Sequence, residues 1–552
     1  MKDSYDVDVV VIGGGLLGCF AVRNLTRYKL KVALLEKRED LCTGISRANT
    51  AIVYSGCDTK PGTLKTSLCV KSAQEFPQLC DELGVRYSQC GSLMVCFGER
   101  GAEVLREKLE MGAENGVRGM KLLGREDLLA LEPNISADVR SGLYVPDTGT
   151  VMPWELGLAA AENAARNGAE FFLNTEVTTI ARNAQSRGER KEERGELGDE
   201  GEGDASYVFE VQTNNGEYYA RAIVKCAGMA ADSIHEMLCE PTVRIVPTAG
   251  EYYVLDTKAA GHIKHVIFHE PEEKDKGLTL VPTVDGNILV GPTERPGDDY
   301  ETTSAGLEEL RDLVSQVVPT LPMDHVIRSF GAVRPNPHMV AALQRPRGER
   351  REERGELGTK DAGDGYILDE KSVSDFCIVE AEDGAFVSLA GIKTPGLTCA
   401  NEMGKHVADK VAAYLGADTD PAFDPHRAPP VRLWDKPMKE RESLILEKSL
   451  KTPDYNKIIC RCRGVSEGEI IDAIRRFPGA VTVDGVKRRT GAGSGRCQGG
   501  FCGQQVVELL ARELQCPPEQ ITKDGKGSHI FNARNASIEV ERGERREESY
   551  ER

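Results

Sequence analysis

The 552-residue sequence has no stretch approaching 18 consecutive apolar residues, so a membrane-crossing helix is not expected. It also lacks a surplus of positive charge: 70 Lys and Arg stand against 88 Asp and Glu, a formal net charge of −18. A polyanion of this kind is a poor general partner for DNA, RNA or an anionic membrane face, so nucleic-acid binding is not expected. The N-terminus, MKDSYDVDVVVIGGG, shows no cleavage site; its short apolar run ends in glycines. No signal peptide is expected, and the chain is placed in the cytoplasm. The 16 cysteines are mostly scattered and lack the dense spacing of a small secreted disulfide scaffold. What is present is a globular composition, 40% hydrophobic and 29% charged. The length allows roughly three to five domains.

One repeat stands apart. RGERKEERGELG occupies 187–198, RGERREERGELG occupies 347–358, and a truncated copy, RGERREE, runs 542–548. Such segments are nearly pure charge with Gly breaks and cannot bury a core. They are either docking handles or surface insertions, placed at 187–204 and 347–364. Their flanks favour insertions. The first copy lies between FFLNTEVTTI and YVFEVQT, and the second between MVAAL and GYILD, where hairpin or interdomain loops would be.

With the repeats set aside, the chain opens on a β-α-β pattern: an apolar run at 6–12, helical spacing over 15–28, and a second apolar run at 31–35. An Ala-rich helix is expected before Asn167, and a β-meander over 205–226. Residues 245–293 suggest an antiparallel sheet, and 386–390 a strand leading into a helix over 398–415. Residues 417–456, rich in Pro and charge, suggest a surface linker. A cysteine module follows at 457–520, then a tail at 521–552.

The glycines Gly13, Gly15 and Gly18 directly follow the first strand and open the first helix, and Glu36 ends the second strand 18 residues after Gly18. That is the dinucleotide-binding arrangement. Gly13 allows the tight turn, Gly15 lets a pyrophosphate approach the backbone, and Gly18 lets helix and strand pack closely. The helix N-terminus offers free N–H groups to the phosphates. Glu36 suits a ribose 2′-OH and would repel a 2′-phosphate. The motif alone permits NAD or FAD.

The next segment, SRANTAIVYSGCD at 46–58, resembles the second flavin-contact segment of the D-amino-acid-oxidase-like FAD oxidoreductases. Within that superfamily it resembles the 2-hydroxyglutarate and anaerobic glycerol-3-phosphate dehydrogenase groups. The likeness continues through most of 5–415, in PGTLKTSLCVKS, GSLMVCF, KCAGMAADSIHEM, PTAGEYYVLD, VPTVDGNILVGPT, SFGAVRPNP and LAGIKTPGLTCANEMGKHVAD. It implies an α/β fold over 1–416, in which a Rossmann-like FAD domain is interleaved with an antiparallel-sheet substrate domain. It also implies FAD contacts from Glu36, Lys37, Ser46, Arg47, Asn49 and Thr50, with Val177 beside the adenine. Gly228 would lie at a second dinucleotide turn, and Gly391, Gly396, Leu397 and Thr398 near the flavin ring. The helix beginning near Thr398 would turn its N–H groups toward negative charge on reduced flavin.

Removing hydride from a C–H bond needs a carbon held over the flavin and an acceptor for the released proton; an anionic substrate also needs a cation. Arg334, in SFGAVRP, matches a pocket arginine of the family, and a guanidinium suits carboxylate or phosphate. Tyr252 and Tyr253 match a pocket-lining segment, with Tyr253 the candidate at the reaction centre. Lys393 would bind an anion or polarise the flavin. The sequence departs from the family at Tyr54, where relatives commonly carry histidine. A phenol, with an ordinary pKa of about 10, is a poor base at neutral pH. His235, His269, His338 and His406 have no local context that singles them out.

Cys460-Arg-Cys462 and Cys497-x4-Cys502 form the one cysteine cluster, with helical patterns between and after the pairs. Four thiolates suit zinc or a 2Fe-2S cluster, and CxC is less typical of zinc knuckles. The segment resembles the bacterioferritin-associated-ferredoxin-like 2Fe-2S domain, a small helical module also fused to anaerobic glycerol-3-phosphate dehydrogenase subunits. Arg461, Arg463, Arg488, Arg489 and Arg496 are expected around the cluster, offsetting thiolate charge or meeting an acidic partner. The resemblances together imply oxidation of a small anionic alcohol, glycerol 3-phosphate first and a 2-hydroxy acid second. Electrons would pass through the cluster to a second redox subunit, a flavoprotein or iron-sulfur protein that could hold the chain at the inner membrane. A pure electron-transfer subunit is the alternative that Tyr54 motivates.

Overall fold

The computed structural model describes residues 3–182, 207–270, 277–342, 360–361, 366–369, 371–380, 384–449 and 455–531. Strand Ser4–Ile12 (β1) carries an unbroken Val/Ile run that is buried on both faces, the pattern of a central parallel strand. It pairs in parallel with Val32–Leu35 (β2) on one side and Glu217–Lys225 on the other, so that Val9 stands opposite both Val32 and Ala222. The parallel set extends to Glu170–Phe172 and Phe386–Leu389. Strands Val177–Arg182 and Phe209–Thr213 form an antiparallel edge, and Ile378–Glu380, antiparallel to Phe386–Leu389, is the eighth strand of this sheet among the described residues. They are the two strands expected to bracket the first charged repeat. The three repeat copies themselves lie outside the described residues.

Helix Leu16–Leu25 (α1) crosses from β1 to β2 and is buried almost all round. It packs in one core with the Ala-rich helix Pro153–Arg166 and helix Gly396–Leu415. At Gly404 a Cβ would stand 2.6 Å from the Phe20 carbonyl oxygen, so the two helices meet backbone to backbone. Buried Arg23 ties the layer together, donating to Asn163 Oδ1, Asn401 Oδ1, Glu82 Oε2 and the Pro425 carbonyl.

The second sheet has eleven strands among the described residues. Its spine is the antiparallel pair Val243–Leu255 and Val326–Ala342, in register from Val243 opposite Met339 to Leu255 opposite Val326. Its other strands come from 92–145, 266–296 and 360–368, so the two sheets alternate along the chain as expected of interleaved domains.

The chain divides into two units, one of Met1–Lys37 with Leu41–Arg427 and one of Arg38–Asp40 with Ala428–Arg552. The linker expected at 417–456 is therefore not one surface segment. Its first part belongs to the first unit, where buried Arg427 donates to Glu162 Oε2 and to the Leu83 carbonyl. Its later part contains buried Leu433 and the helix Met438–Ser449. The second unit packs Ile459, Ile470, Ile471, Val486, Val507 and Leu510 around helices Glu467–Arg475, Val483–Thr490 and Gly503–Leu514. Ser466 and Glu469 form a capping box at the start of the first of these. The start of the expected tail joins the same core through Ile521, 2% exposed. Among the described residues no helix is long and apolar enough to cross a membrane.

Candidate active site

The turn after β1 is built for a close-approaching ligand. Gly13 has φ +103°, and a Cβ there would lie 2.5 Å from the Cys226 carbonyl oxygen. A Cβ on Gly18 would lie 1.9 Å from the Gly13 oxygen. Both positions are closed to any side chain by the protein itself. Gly15, the N-cap of α1, differs: an added Cβ would meet only Ser46 Oγ, at an ordinary 3.5 Å. The open space at Gly15 is where the sequence argument puts a pyrophosphate. Ser46 Oγ accepts from Leu16 N at 2.9 Å, which brings the 46–50 loop to the helix N-terminus. Asn49 braces that loop, donating to the Ser46 carbonyl and accepting from Ala51 N. Glu36 Oε2 accepts from Gly14 N at 2.6 Å, so its carboxylate is anchored beside the glycine turn. Lys37 is half exposed, 3.9 Å from Glu176. Val177 is buried in the core on its face of the sheet, and Gly228, φ +57°, faces Ile45.

A second set of residues gathers where the two sheets meet. The Tyr54 backbone N–H donates to Thr398 Oγ1 at 2.9 Å, and the Cys69 thiol points at the Tyr54 carbonyl, so residue 54 is held between Leu64–Leu83 (α2) and helix Gly396–Leu415. Gly391, φ +70°, passes under Pro337: a Cβ would stand 2.7 Å from the proline Cβ. Leu397 packs against the core beneath. Tyr252 stacks on Phe330 with centroids 4.7 Å apart, and packs with Ala48 of the glycine-facing loop and with Ala332.

Three cations converge here. Arg334 Nη1 is 3.1 Å from Glu294 Oε2. Lys393 Nζ donates to Ser372 Oγ at 2.7 Å. Its pKa is held down by burial first, then by the charges of Lys65 and Arg334. Burial lowers Lys65 as well, against the pull of Asp375 and Asp58. Asp375 caps α2, accepting from Leu64 N and Lys65 N. Mutual repulsion among Lys65, Lys393 and Arg334 is tolerated in the folded chain, which is the arrangement an anion relieves. The phenol of Tyr54 is pushed up by burial, against a hydrogen bond from the Thr50 side and the charge of Arg334. The phenol is therefore protonated at neutral pH. Burial raises Tyr252 in the same way, with Arg334 opposing.

The structure corrects the expectation for Tyr253 and adds Lys65. Tyr253 does not join the cluster. Side chains alternate across a strand, so Tyr253 faces the opposite side from Tyr252, in the core under helix Ser304–Val317, and its hydroxyl accepts from Arg311 Nε at 3.1 Å. Tyr252 is the one of the pair that packs with Ala48, Ala332 and Phe330. Lys65 was not expected in the site. Its only sequence signal is membership of PGTLKTSLCVKS; its neighbours Ser374 and Asp375 lie more than 300 residues away. The histidines are placed elsewhere. Buried His235 bonds Thr242 and is pushed down to about 4 by burial and Lys225. His338 bonds the Asp369 carbonyl, His269 packs against Phe97, and His406 lies on helix Gly396–Leu415.

In the second unit the four cysteines are brought together. The sulfurs run Cys460 to Cys462 at 3.9 Å and Cys462 to Cys497 at 3.9 Å, and the Cys502 thiol lies against Cys460. The Cys460 thiol is drawn down to about 5, first by Cys502 and then by the N–H groups of Gly493 and Arg463. Cys497 is lowered by the N–H groups of Phe501 and Gly499. A Cβ on Gly495 would lie 2.4 Å from Cys462 Sγ, which accounts for glycine in that loop. Thiols ringed by backbone donors fit a negatively charged metal-sulfur group. Arg488 and Arg489 are not part of this ring. They bind Asp40, whose pKa burial would raise but Arg489 and Arg488 hold below the carboxylate range.

Comparison with known proteins matches residues 8–410 to the FAD dependent oxidoreductase family (DAO) and residues 458–512 to the BFD-like 2Fe-2S binding domain. The chain is 36% identical over 531 residues to a glycerol 3-phosphate dehydrogenase of Caloramator mitchellensis, covering 95% of this chain and 98% of that protein. It is 30% identical over 291 residues to the mitochondrial L-2-hydroxyglutarate dehydrogenase of Bos taurus, covering 52% of this chain and 60% of that one. Its fold matches the dithionite-reduced L-alpha-glycerophosphate oxidase of Mycoplasma pneumoniae with FAD bound, at a TM-score of 0.62 and 24% identity, over 76% of this chain and 98% of that one. The chain therefore carries FAD and a BFD-like 2Fe-2S binding domain, and it belongs to the FAD dependent oxidoreductase family as a glycerol-3-phosphate-dehydrogenase-like enzyme.

Proposed function

We propose that the chain oxidises sn-glycerol 3-phosphate to dihydroxyacetone phosphate and passes the electrons through the 2Fe-2S domain to a second redox protein. The observation that carries this reading is the meeting of Arg334, Lys393 and Lys65 beside Tyr54 and Tyr252. Three cations suit a phosphate dianion. A relative that spans nearly the whole of this chain, both domains included, is a glycerol 3-phosphate dehydrogenase. Bound FAD supplies the two-electron acceptor. The protein's part is to hold the phosphate on the cations and so fix the carbon that loses hydride. The neutral Tyr54 and Tyr252 phenols can donate hydrogen bonds to substrate oxygens. An external acceptor is needed because a 2Fe-2S centre carries one electron at a time while the substrate gives two.

A second reading rests on the L-2-hydroxyglutarate dehydrogenase relatives, whose likeness is confined to about half of this chain. A dicarboxylate would use the same cations. Steady-state turnover with a dye acceptor separates the two. Glycerol 3-phosphate is expected to give dihydroxyacetone phosphate, identified by NMR, and 2-hydroxyglutarate to be inert. Turnover of 2-hydroxyglutarate alone overturns the first reading in favour of the second. Inertness to both, with the flavin reducible only by another flavoprotein, makes the chain a relay.

A further inference from the structure

The two segments that hold the cysteines, 457–464 and 490–507, contain Lys457, Arg461, Arg463 and Arg496 and no carboxylate, in a chain whose net charge is −18. Lys457 is paired with Glu467. Arg461 is exposed, and its guanidinium lies over the Phe501 ring, 4.6 Å from the centroid. Phe501 is 49% exposed and adjoins Cys502. Cys497 is the exposed member of the cysteine set, flanked by exposed Arg496 and Gly500. Trp434, 58% exposed, lies against Gly464: a Cβ there would stand 2.3 Å from the indole. Arg441 stacks on the outer side of that ring, 4.7 Å from its centroid. The surface at the cysteine segments therefore offers one thiol edge and two exposed aromatics each stacked by an arginine, and those segments themselves bring only positive charge. Aromatic and arginine side chains are the groups that dominate binding energy at protein interfaces.

We infer that this face, centred on Cys497, Arg461 and Phe501, is the electron-exit surface and that it docks a small acidic one-electron carrier protein. The inference deepens the proposed electron path and rests on it. Charge complementarity selects the occupant. The rest of the chain repels an acidic protein, so this basic patch would orient it with its own redox centre toward Cys497. Each carrier accepts one electron here, and two encounters clear the pair taken from one substrate molecule. Cysteine segments that carry arginines and no carboxylate disfavour a basic carrier.

The test uses the full-length holoenzyme with two probes, flavodoxin as the acidic carrier and cytochrome c as the basic one. Binding to the oxidised protein is measured by calorimetry, and electron transfer from the reduced protein by stopped flow. Flavodoxin affinity is expected to fall about tenfold or more between low salt and several hundred millimolar. Arg461→Glu should weaken it about tenfold at low salt, while Arg461→Lys keeps most of it. Visible and EPR spectra of the cluster in both variants show whether the domain is intact; Phe501→Ala, which leaves the charge in place, should also weaken binding. Salt-independent binding, tighter binding of cytochrome c, or wild-type affinity in Arg461→Glu with intact spectra overturns the docking face. If substrate bleaches the flavin but the cluster is never reduced, the electron path itself fails, and this inference with it.

Discussion

Lys393→Met separates a binding cation from a structural one because the two roles give opposite signs. In the folded chain Lys393 donates to Ser372 Oγ, and its charged form is disfavoured by burial, then by Lys65 and Arg334. Its folded pKa lies below the ordinary 10.5, so between the two values the unfolded chain binds the proton more tightly and stability rises with pH through that window. At neutral pH the charge is thus a cost to the substrate-free protein, and Met, with a similar aliphatic stem, should leave Tm unchanged or raise it. Binding responds in the other direction. A phosphate dianion about 5 Å from one cation, at an effective dielectric of about 40, gains roughly 3 kcal/mol. Losing that lowers kcat/KM for glycerol 3-phosphate by about a hundredfold. The assay is dye-coupled turnover beside thermal unfolding of the same preparation, and Lys393→Arg should recover most of the loss. A fall in Tm of several degrees with KM unchanged refutes the reasoning, because that is the signature of a structural pair.

Further outcomes follow from the same geometry. Gly15→Ala should leave the protein folded, since its Cβ meets nothing closer than 3.5 Å, yet weaken FAD binding by two or more charge-assisted hydrogen bonds, about 3 kcal/mol or a hundredfold; Gly18→Ala should fail to fold normally, its Cβ being 1.9 Å from a carbonyl. FAD titration and circular dichroism distinguish them. Tyr54→Phe should keep the shape of the pH–rate profile, because burial keeps the phenol protonated; loss of a basic limb would show that Tyr54 titrates in the cycle. Tyr253→Phe should cost about 1 kcal/mol of stability by losing the Arg311 bond while leaving kcat/KM unchanged, whereas Tyr252→Phe should change kcat/KM. Fully buried Lys225 is held down to about 8, first by burial, from an ordinary 10.5. That difference costs about 3 kcal/mol at neutral pH, partly offset by its bond to the Ala231 carbonyl. Lys225→Met should raise Tm by a few degrees at pH 7, with the gain vanishing as pH rises from about 8 through 10.5.

The parts legible in the sequence were those fixed by local chemistry. Gly18 is forced by the Gly13 carbonyl oxygen and Gly13 by its own φ of +103°, and their spacing announced the turn. The four-cysteine pattern was equally local. What was hidden depends on register and on long-range packing. A one-residue choice between Tyr252 and Tyr253 decides which face of a strand is meant, and an isolated GEYYVLD cannot settle it. Lys65 reaches the site because Asp375, 310 residues on, caps its helix. Arg488 and Arg489 lie near the cysteines in sequence, yet are held by Asp40, 448 and 449 residues away. No window of sequence contains those pairs.

The central claim is tested most directly by an anaerobic titration of the purified holoenzyme with glycerol 3-phosphate, followed by visible absorption and EPR in the same samples. Bleaching of the flavin followed by the signal of a one-electron-reduced 2Fe-2S cluster is the expected result, with 2-hydroxyglutarate giving neither. A flavin that stays oxidised under glycerol 3-phosphate, while dithionite reduces both centres, would contradict the account.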